Sequence, residues 1–138
     1  EIVKLLIARD KYQRTPLNTA SYWGYTEVVK LLIAAGADLN LKDKYGWSPL
    51  YTASFQGETE IVKLLIDAGA NLNLKDKDQR TPLYWACRNG KTEVVKLLIA
   101  AGANLNLQGW NKITPLYWAS WNGYTEIVKL LGADLNLQ

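Results

Sequence analysis

An all-α solenoid of helix-turn-helix units with projecting β-turn fingers is the fold this sequence predicts, on three observations. Thr15-Pro16, Ser48-Pro49, Thr81-Pro82 and Thr114-Pro115 follow one another at intervals of 33 residues. Gly24, Gly57, Gly90 and Gly123 keep the same period, as do Glu27, Glu60, Glu93 and Glu126 with Lys30, Lys63, Lys96 and Lys129. Between these anchors, apolar residues recur at helical spacing in stretches too short to be stable alone, so neighbouring units must bury each other's faces. A motif kept in register at this period marks a repeat array.

Each element of a unit has a local cause. Thr81 is suited to cap a first helix that Pro82 opens, because its hydroxyl accepts an orphan amide and proline lacks one. Gly90 ends that helix. Thr92 is expected to cap the second helix, where Glu93 meets the positive end of the dipole and Val94, Val95, Leu97 and Leu98 supply an apolar face. Gly102 is the natural C-cap. Ala103-Asn104-Leu105-Asn106-Leu107 and the turn after it then project as a finger toward the next unit. The Glu93/Lys96 pair, present in every unit, fits a solvated outer face and contributes only about 0.2–0.5 kcal/mol.

This pattern, with Thr81-Pro82-Leu83, Ala86, Gly90, Val94-Val95, Leu97-Leu98 and Gly102-Ala103-Asn104-Leu105-Asn106, resembles the ankyrin repeat over essentially the whole chain. The resemblance implies an ankyrin-repeat solenoid forming one domain over residues 1–138, with a partial repeat at 1–9 and repeats at about 10–42, 43–75, 76–108 and 109–138. The family usually places His after Thr-Pro-Leu, where this chain has Asn18, Tyr51, Tyr84 and Tyr117. That departure removes the histidine's polar contact between repeats without touching the fold.

Two breaks interrupt the pattern. After Arg9 the counterpart of residues 36–42 is missing, and after Leu131 the counterparts of Ile99, Ala100 and Ala101 are missing. A true deletion at the second would remove most of a helical turn, so both are read as stretches absent from the written sequence; an intact mass matching these 138 residues would overturn that. The chain starts inside a second helix and ends at a finger without polar terminal repeats, so more chain is expected at both ends.

Composition narrows the function. A hydrophobic content of 49% suits a packed core, while no long apolar run implies a membrane span and no signal-peptide pattern opens the chain. The formal charge of +3 is too small to imply a polyanion partner by itself. A lone cysteine, Cys87, excludes an intramolecular disulfide and fits a reducing, cytoplasmic setting, and the absence of histidine removes the commonest metal ligand and acid/base group. No metal-ligand spacing, glycine-rich phosphate loop or nucleophile beside a base is found, so neither enzyme, metal nor cofactor is expected. Cys87 stands where other repeats have Ser21, Ser54 and Ser120, which marks it as a small packing residue.

Variation falls on a minority of positions. Thr59 to Leu74 and Thr92 to Leu107 differ only at Ile61/Val94 and Asp67/Ala100. The fingertips, the first helices and the residue after each helix-ending glycine differ instead, and they hold all six Trp, all eight Tyr and the single Phe. By the resemblance, fingertips and first helices line a concave groove. Tyr and Trp combine rigid area with a polar tip, and so dominate binding hot spots. Core packing alone would have put aromatics on the second helices too. Partner contact is therefore expected at Tyr12, Tyr22, Trp23, Tyr45, Trp47, Phe55, Trp110 and Trp121. Tyr51, Tyr84, Trp85, Tyr117 and Trp118 divide between packing and contact, with Tyr124 placed on the same variable surface. Arg14, Arg80 and Arg88, with nearby lysines, make the groove mildly basic and favour an acidic partner surface.

The expected function is recognition of another protein through this aromatic groove. A near-identical framework with variation on one face resembles a library-selected, designed ankyrin repeat protein; a natural ankyrin scaffold is the alternative. Single-stranded nucleic acid is a weaker candidate, to be separated by its steep salt dependence. Self-association through the groove would appear as concentration-dependent mass in light scattering.

Overall fold

A computed structural model describes residues 2–135. Helix α1 spans Ile2–Ile7, and four helix pairs follow: α2 (Pro16–Trp23) with α3 (Thr26–Ala34), α4 (Pro49–Gln56) with α5 (Thr59–Asp67), α6 (Pro82–Arg88) with α7 (Thr92–Ala100), and α8 (Pro115–Trp121) with α9 (Thr125–Leu135). Among the described residues there is no strand, and a short 3-10 turn covers Trp110–Lys112. The first helices α2, α4, α6 and α8 stack in one row and α3, α5, α7 and α9 stack behind them.

Helix entry is set by side-chain caps. Thr15 Oγ1, Ser48 Oγ, Thr81 Oγ1 and Thr114 Oγ1 accept the N–H of Asn18, Tyr51, Tyr84 and Tyr117 at 3.1, 3.1, 3.2 and 3.2 Å. Each cap is followed by proline at the first helical position. Removing one hydroxyl, as in Thr81→Ala, is expected to cost about 1 kcal/mol in a denaturant titration. The second helices begin differently. Thr92 is the first helical residue rather than the cap, and Lys91 before it makes no side-chain cap bond. The cause is backbone geometry: Thr92 N–H turns to Gly90 O at 3.0 Å, so the tight turn itself opens the helix. At the other end Gly102 sits at φ +94°, and Ala103 N–H reaches Leu98 O at 3.0 Å, a bond that closes the helix only if the glycine adopts a left-handed conformation.

The main core runs between the two rows. Leu17, Leu50 and Leu83 of the first helices meet Val29, Val62 and Val95 of the second, with Ile61, Val94 and Ile127 filling the space between successive units. Full burial of each such side chain stabilises by about 1.5–3 kcal/mol. Polar stitches join the units outside this core. Asn40 Oδ1 accepts Asn71 N–H at 2.9 Å and Asn73 Oδ1 accepts Asn104 N–H at 3.0 Å, linking one finger base to the next.

Both breaks in the repeat have structural consequences. Arg9 Nη1 donates to Lys42 O at 2.7 Å, and Lys42 Nζ donates to Lys75 O at 2.7 Å, so Arg9 takes up a finger lysine's place directly after α1. With so short a link α1 packs on α2. Val28 of α3 is consequently 44% exposed, whereas its counterparts Ile61, Val94 and Ile127 are 0–1% exposed. At the other end Gly132 does not stop the helix. Helix α9 continues through Gly132 to Leu135. With three residues missing before it, Gly132 directly follows the buried Leu131, inside the last turns rather than beyond them. The finger expected at the chain's end is thus helix as far as Leu135, and its remainder lies outside the described residues.

Candidate functional site

The first helices and fingertips bring the aromatic residues to one side of the stack, where they divide into an enclosed ladder and a set of exposed rings. Tyr51, Tyr84 and Trp85 form the ladder's centre at 0, 6 and 7% exposure, flanked by half-buried Trp47, Phe55, Ile113 and Trp118. This is a second core. Core packing therefore accounts for more of the aromatic content than the sequence pattern suggested: the second helices need no aromatics because the second core lies on the first-helix side.

Polar atoms thread the ladder. Tyr51 Oη donates to Asp76 Oδ2 at 2.6 Å and accepts from Trp85 Nε1. One unit on, Trp118 Nε1 donates to Tyr84 Oη at 2.6 Å. These bonds supply the contact between repeats that loss of histidine had put in question, and Asn18 supplies another by donating from Nδ2 to Leu41 O at 2.9 Å. Burial, reinforced by the Asp76 carboxylate, holds the Tyr51 phenol well above the usual tyrosine range and hence protonated. Gly109 replaces the finger aspartate beside Tyr84; a Cβ there would stand 2.9 Å from Tyr84 Cε2.

The three arginines expected to line the groove are engaged within the chain. Arg14 Nε pairs with Asp10 Oδ2 at 3.0 Å, and Arg80 pairs with Asp76 at 2.8 Å and Asp78 at 3.1 Å. The Arg88 guanidinium lies between Trp85 and Trp118, 4.8 and 4.7 Å from their ring centres. Tyr124 also turns inward: it packs on the main core and against Gly90, where Lys91 stands against Gly57 and Glu58 against Gly24. Glu58, Lys91 and Tyr124 thus each touch the preceding unit rather than lining the groove, while Tyr25 is 54% exposed.

Two clusters of aromatic rings remain exposed on the first-helix side. Toward the N-terminus, Tyr12, Tyr22, Trp23, Tyr45 and Trp47 surround a cavity of about 380 Å³, with Trp23 60% and Tyr45 49% exposed. Arg14, Asn18, Asp43 and Thr52 also line it, and of these four only Arg14 was expected from the sequence as a contact residue. Aspartate at every finger start except Gly109 was the available signal, masked because it also builds the turn. Toward the C-terminus, Tyr117 stacks on Trp121 at 6.1 Å and 20°, and Trp110 stands near Arg80 and Tyr84. Trp110 and Trp121 are 68% and 71% exposed. Phe55 and Trp118 are half-buried between the clusters, Phe55 lying 4.7 Å from Trp85.

Among the described residues no three His, Cys, Asp or Glu side chains gather as metal ligands, and no helix is long and apolar enough to cross a membrane. Cys87 is fully buried, and burial pushes its thiol up to about 12. It should resist thiol reagents at neutral pH in the native protein and label fully in denaturant, because only the thiolate reacts. Rapid native labelling followed by mass spectrometry would contradict this.

The family described as Ankyrin repeats (3 copies) matches residues 1–76 and 57–138. No curated protein matches the chain.

Proposed function

This chain belongs to the ankyrin repeat family, generally a non-enzymatic protein-interaction fold, and from that premise we propose that it binds a partner protein across the exposed rings of its first-helix side. The observation that carries the reading is the exposure of Trp23, Trp110 and Trp121 at 60–71%, beside enclosed aromatics that already satisfy the packing demand. Large indole rings left in water are hazardous to solubility unless a partner covers them. The enclosed ladder beneath holds the surface rigid, which limits the entropy lost on association. A conventional interface of about 800 Å² per partner would span both clusters.

The fingertip lysines Lys11, Lys44, Lys77 and Lys112 are exposed and support acidic groups on the partner opposite them. The copied framework beneath a variable face supports the further reading of a library-selected binder.

Immobilised wild-type protein and a Trp23→Ala/Trp110→Ala/Trp121→Ala variant, exposed to the same protein mixture, test the binding face. A partner retained by the wild type alone is then measured by calorimetry. Trp121→Ala is expected to cost about 2 kcal/mol of its affinity as a hot spot, with stability changed by no more than about 0.5 kcal/mol. Equal retention by both proteins would reject the face. Light scattering on the isolated chain decides whether the partner is a second copy.

A further inference from the structure

We propose that the N-terminal aromatic cavity is an arginine-binding site: the Asp43 carboxylate, walled by Trp23, Tyr45 and Trp47, receives the guanidinium of an arginine on the partner protein. This rests on the reading of that side as a protein-binding face and states what one part of it recognises.

Three finger turns share one construction, and one of them is incomplete. Asp10 Oδ1 accepts the N–H of Tyr12 and Arg14 at 2.8 and 3.0 Å, while Oδ2 accepts Arg14 Nε at 3.0 Å. Asp76 Oδ1 likewise accepts the N–H of Asp78 and Arg80 at 2.8 and 2.9 Å, while Oδ2 accepts Arg80 Nε at 2.8 Å. Asp43 Oδ1 accepts the N–H of Tyr45 and Trp47 at 2.8 and 3.0 Å, as the pattern requires. Its Oδ2 has no partner among the described residues. Trp47 stands where the other turns have arginine. Asn18 stands where Tyr51 would donate, and directs its amide to Leu41 O.

The chain itself shows what completes such a turn. Arg14 Cζ lies 4.8 Å from the Tyr12 ring centre and Arg80 Cζ 5.0 Å from that of Trp85, each guanidinium held by a carboxylate and an aromatic ring together. At Asp43 the carboxylate and the rings are present beside a cavity of about 380 Å³, and no arginine of the turn fills it. Arg14 also lines the cavity, but its guanidinium is paired with Asp10 at 3.0 Å, and the exposed Lys11 and Lys44 lie over Tyr12 and Tyr45. Guanidinium is favoured over ammonium because it is planar, weakly hydrated and able to stack while donating to a carboxylate.

The test is an NMR titration of the whole chain with N-acetyl-arginine amide, following the assigned indole N–H signals. Saturable shifts confined to Trp23 and Trp47 are expected, with Trp110 and Trp121 unmoved. Asp43→Asn keeps an oxygen for the turn amides but not the charge, so binding should weaken by about tenfold or more at an unchanged melting temperature. Trp47→Arg, which installs the arginine of the other turns, should abolish the response in a protein that still melts cooperatively. The neutral citrulline amide should leave the signals in place. Equal binding of citrulline, undiminished binding to Asp43→Asn, or tighter binding of the trimethyl-lysine amide would each overturn the arginine site. A protein partner lost on Trp121→Ala but indifferent to Asp43→Asn would overturn this site alone and leave the wider binding face intact.

Discussion

Asp76→Ala is expected to lower the free energy of unfolding by about 3 kcal/mol, the lower end for breaking a buried charged pair because Arg80 keeps some access to water. Asp76 is only 4% exposed yet accepts two backbone amides, Arg80 and the Tyr51 phenol. Its removal leaves those donors without an acceptor at once, and a buried donor left unpaired carries its full desolvation cost. Urea titration followed by circular dichroism measures the change. A loss below about 1 kcal/mol would mean that water enters the finger and replaces the carboxylate, and that the ladder is less closed than its geometry suggests.

Trp85→Ala is expected to cost about 3–5 kcal/mol, as for a buried tryptophan truncated in a packed core. Trp85 is 7% exposed, meets Phe55 at 4.7 Å and Tyr84 at 5.4 Å, and lies under both Arg80 and Arg88. Trp85→Phe would keep much of the packing and lose the hydrogen bond to Tyr51, an effect of about 1 kcal/mol. The same truncation at Trp121 should leave the melting curve nearly unmoved. If Trp85→Ala and Trp121→Ala proved equally mild, the enclosed ladder would not be a core, and all of these rings would have to be counted as surface.

The solenoid was legible because its signals are local and repeated: cap, proline, glycine and apolar spacing recur with each unit and need no knowledge of distant contacts. Thr92 misled because a threonine beside a glutamate suits a cap, while the backbone turn at Gly90 had already supplied the opening. At the chain's other end the expected finger is helix as far as Leu135, because Gly132 follows Leu131 directly and lies inside the helix. In the candidate site, the concentration of aromatics was visible and their division was not. Whether Tyr51 or Tyr117 is covered depends on the ring one unit along, and Tyr51 is enclosed beneath Trp47 and Trp85 while Tyr117 is 46% exposed. The roles of Asp43 and Asp76 were hidden for a related reason: identical turn residues differ only in what stands four positions later, Trp47 or Arg80.

Helices α3 and α7 consist of the same nine residues, TEVVKLLIA, yet Val28 in the first is 44% exposed and its counterpart Val94 in the second is 1% exposed. The molecule thus carries its own control for the effect of neighbours on a helix. Intrinsic propensity is equal in the two copies, so any difference in the amide hydrogen exchange of Val29 and Val95 reports the free energy of local opening contributed by an adjoining unit. Slower exchange in α7 would show that a helix of fixed sequence takes its resistance to opening from the unit packed beside it.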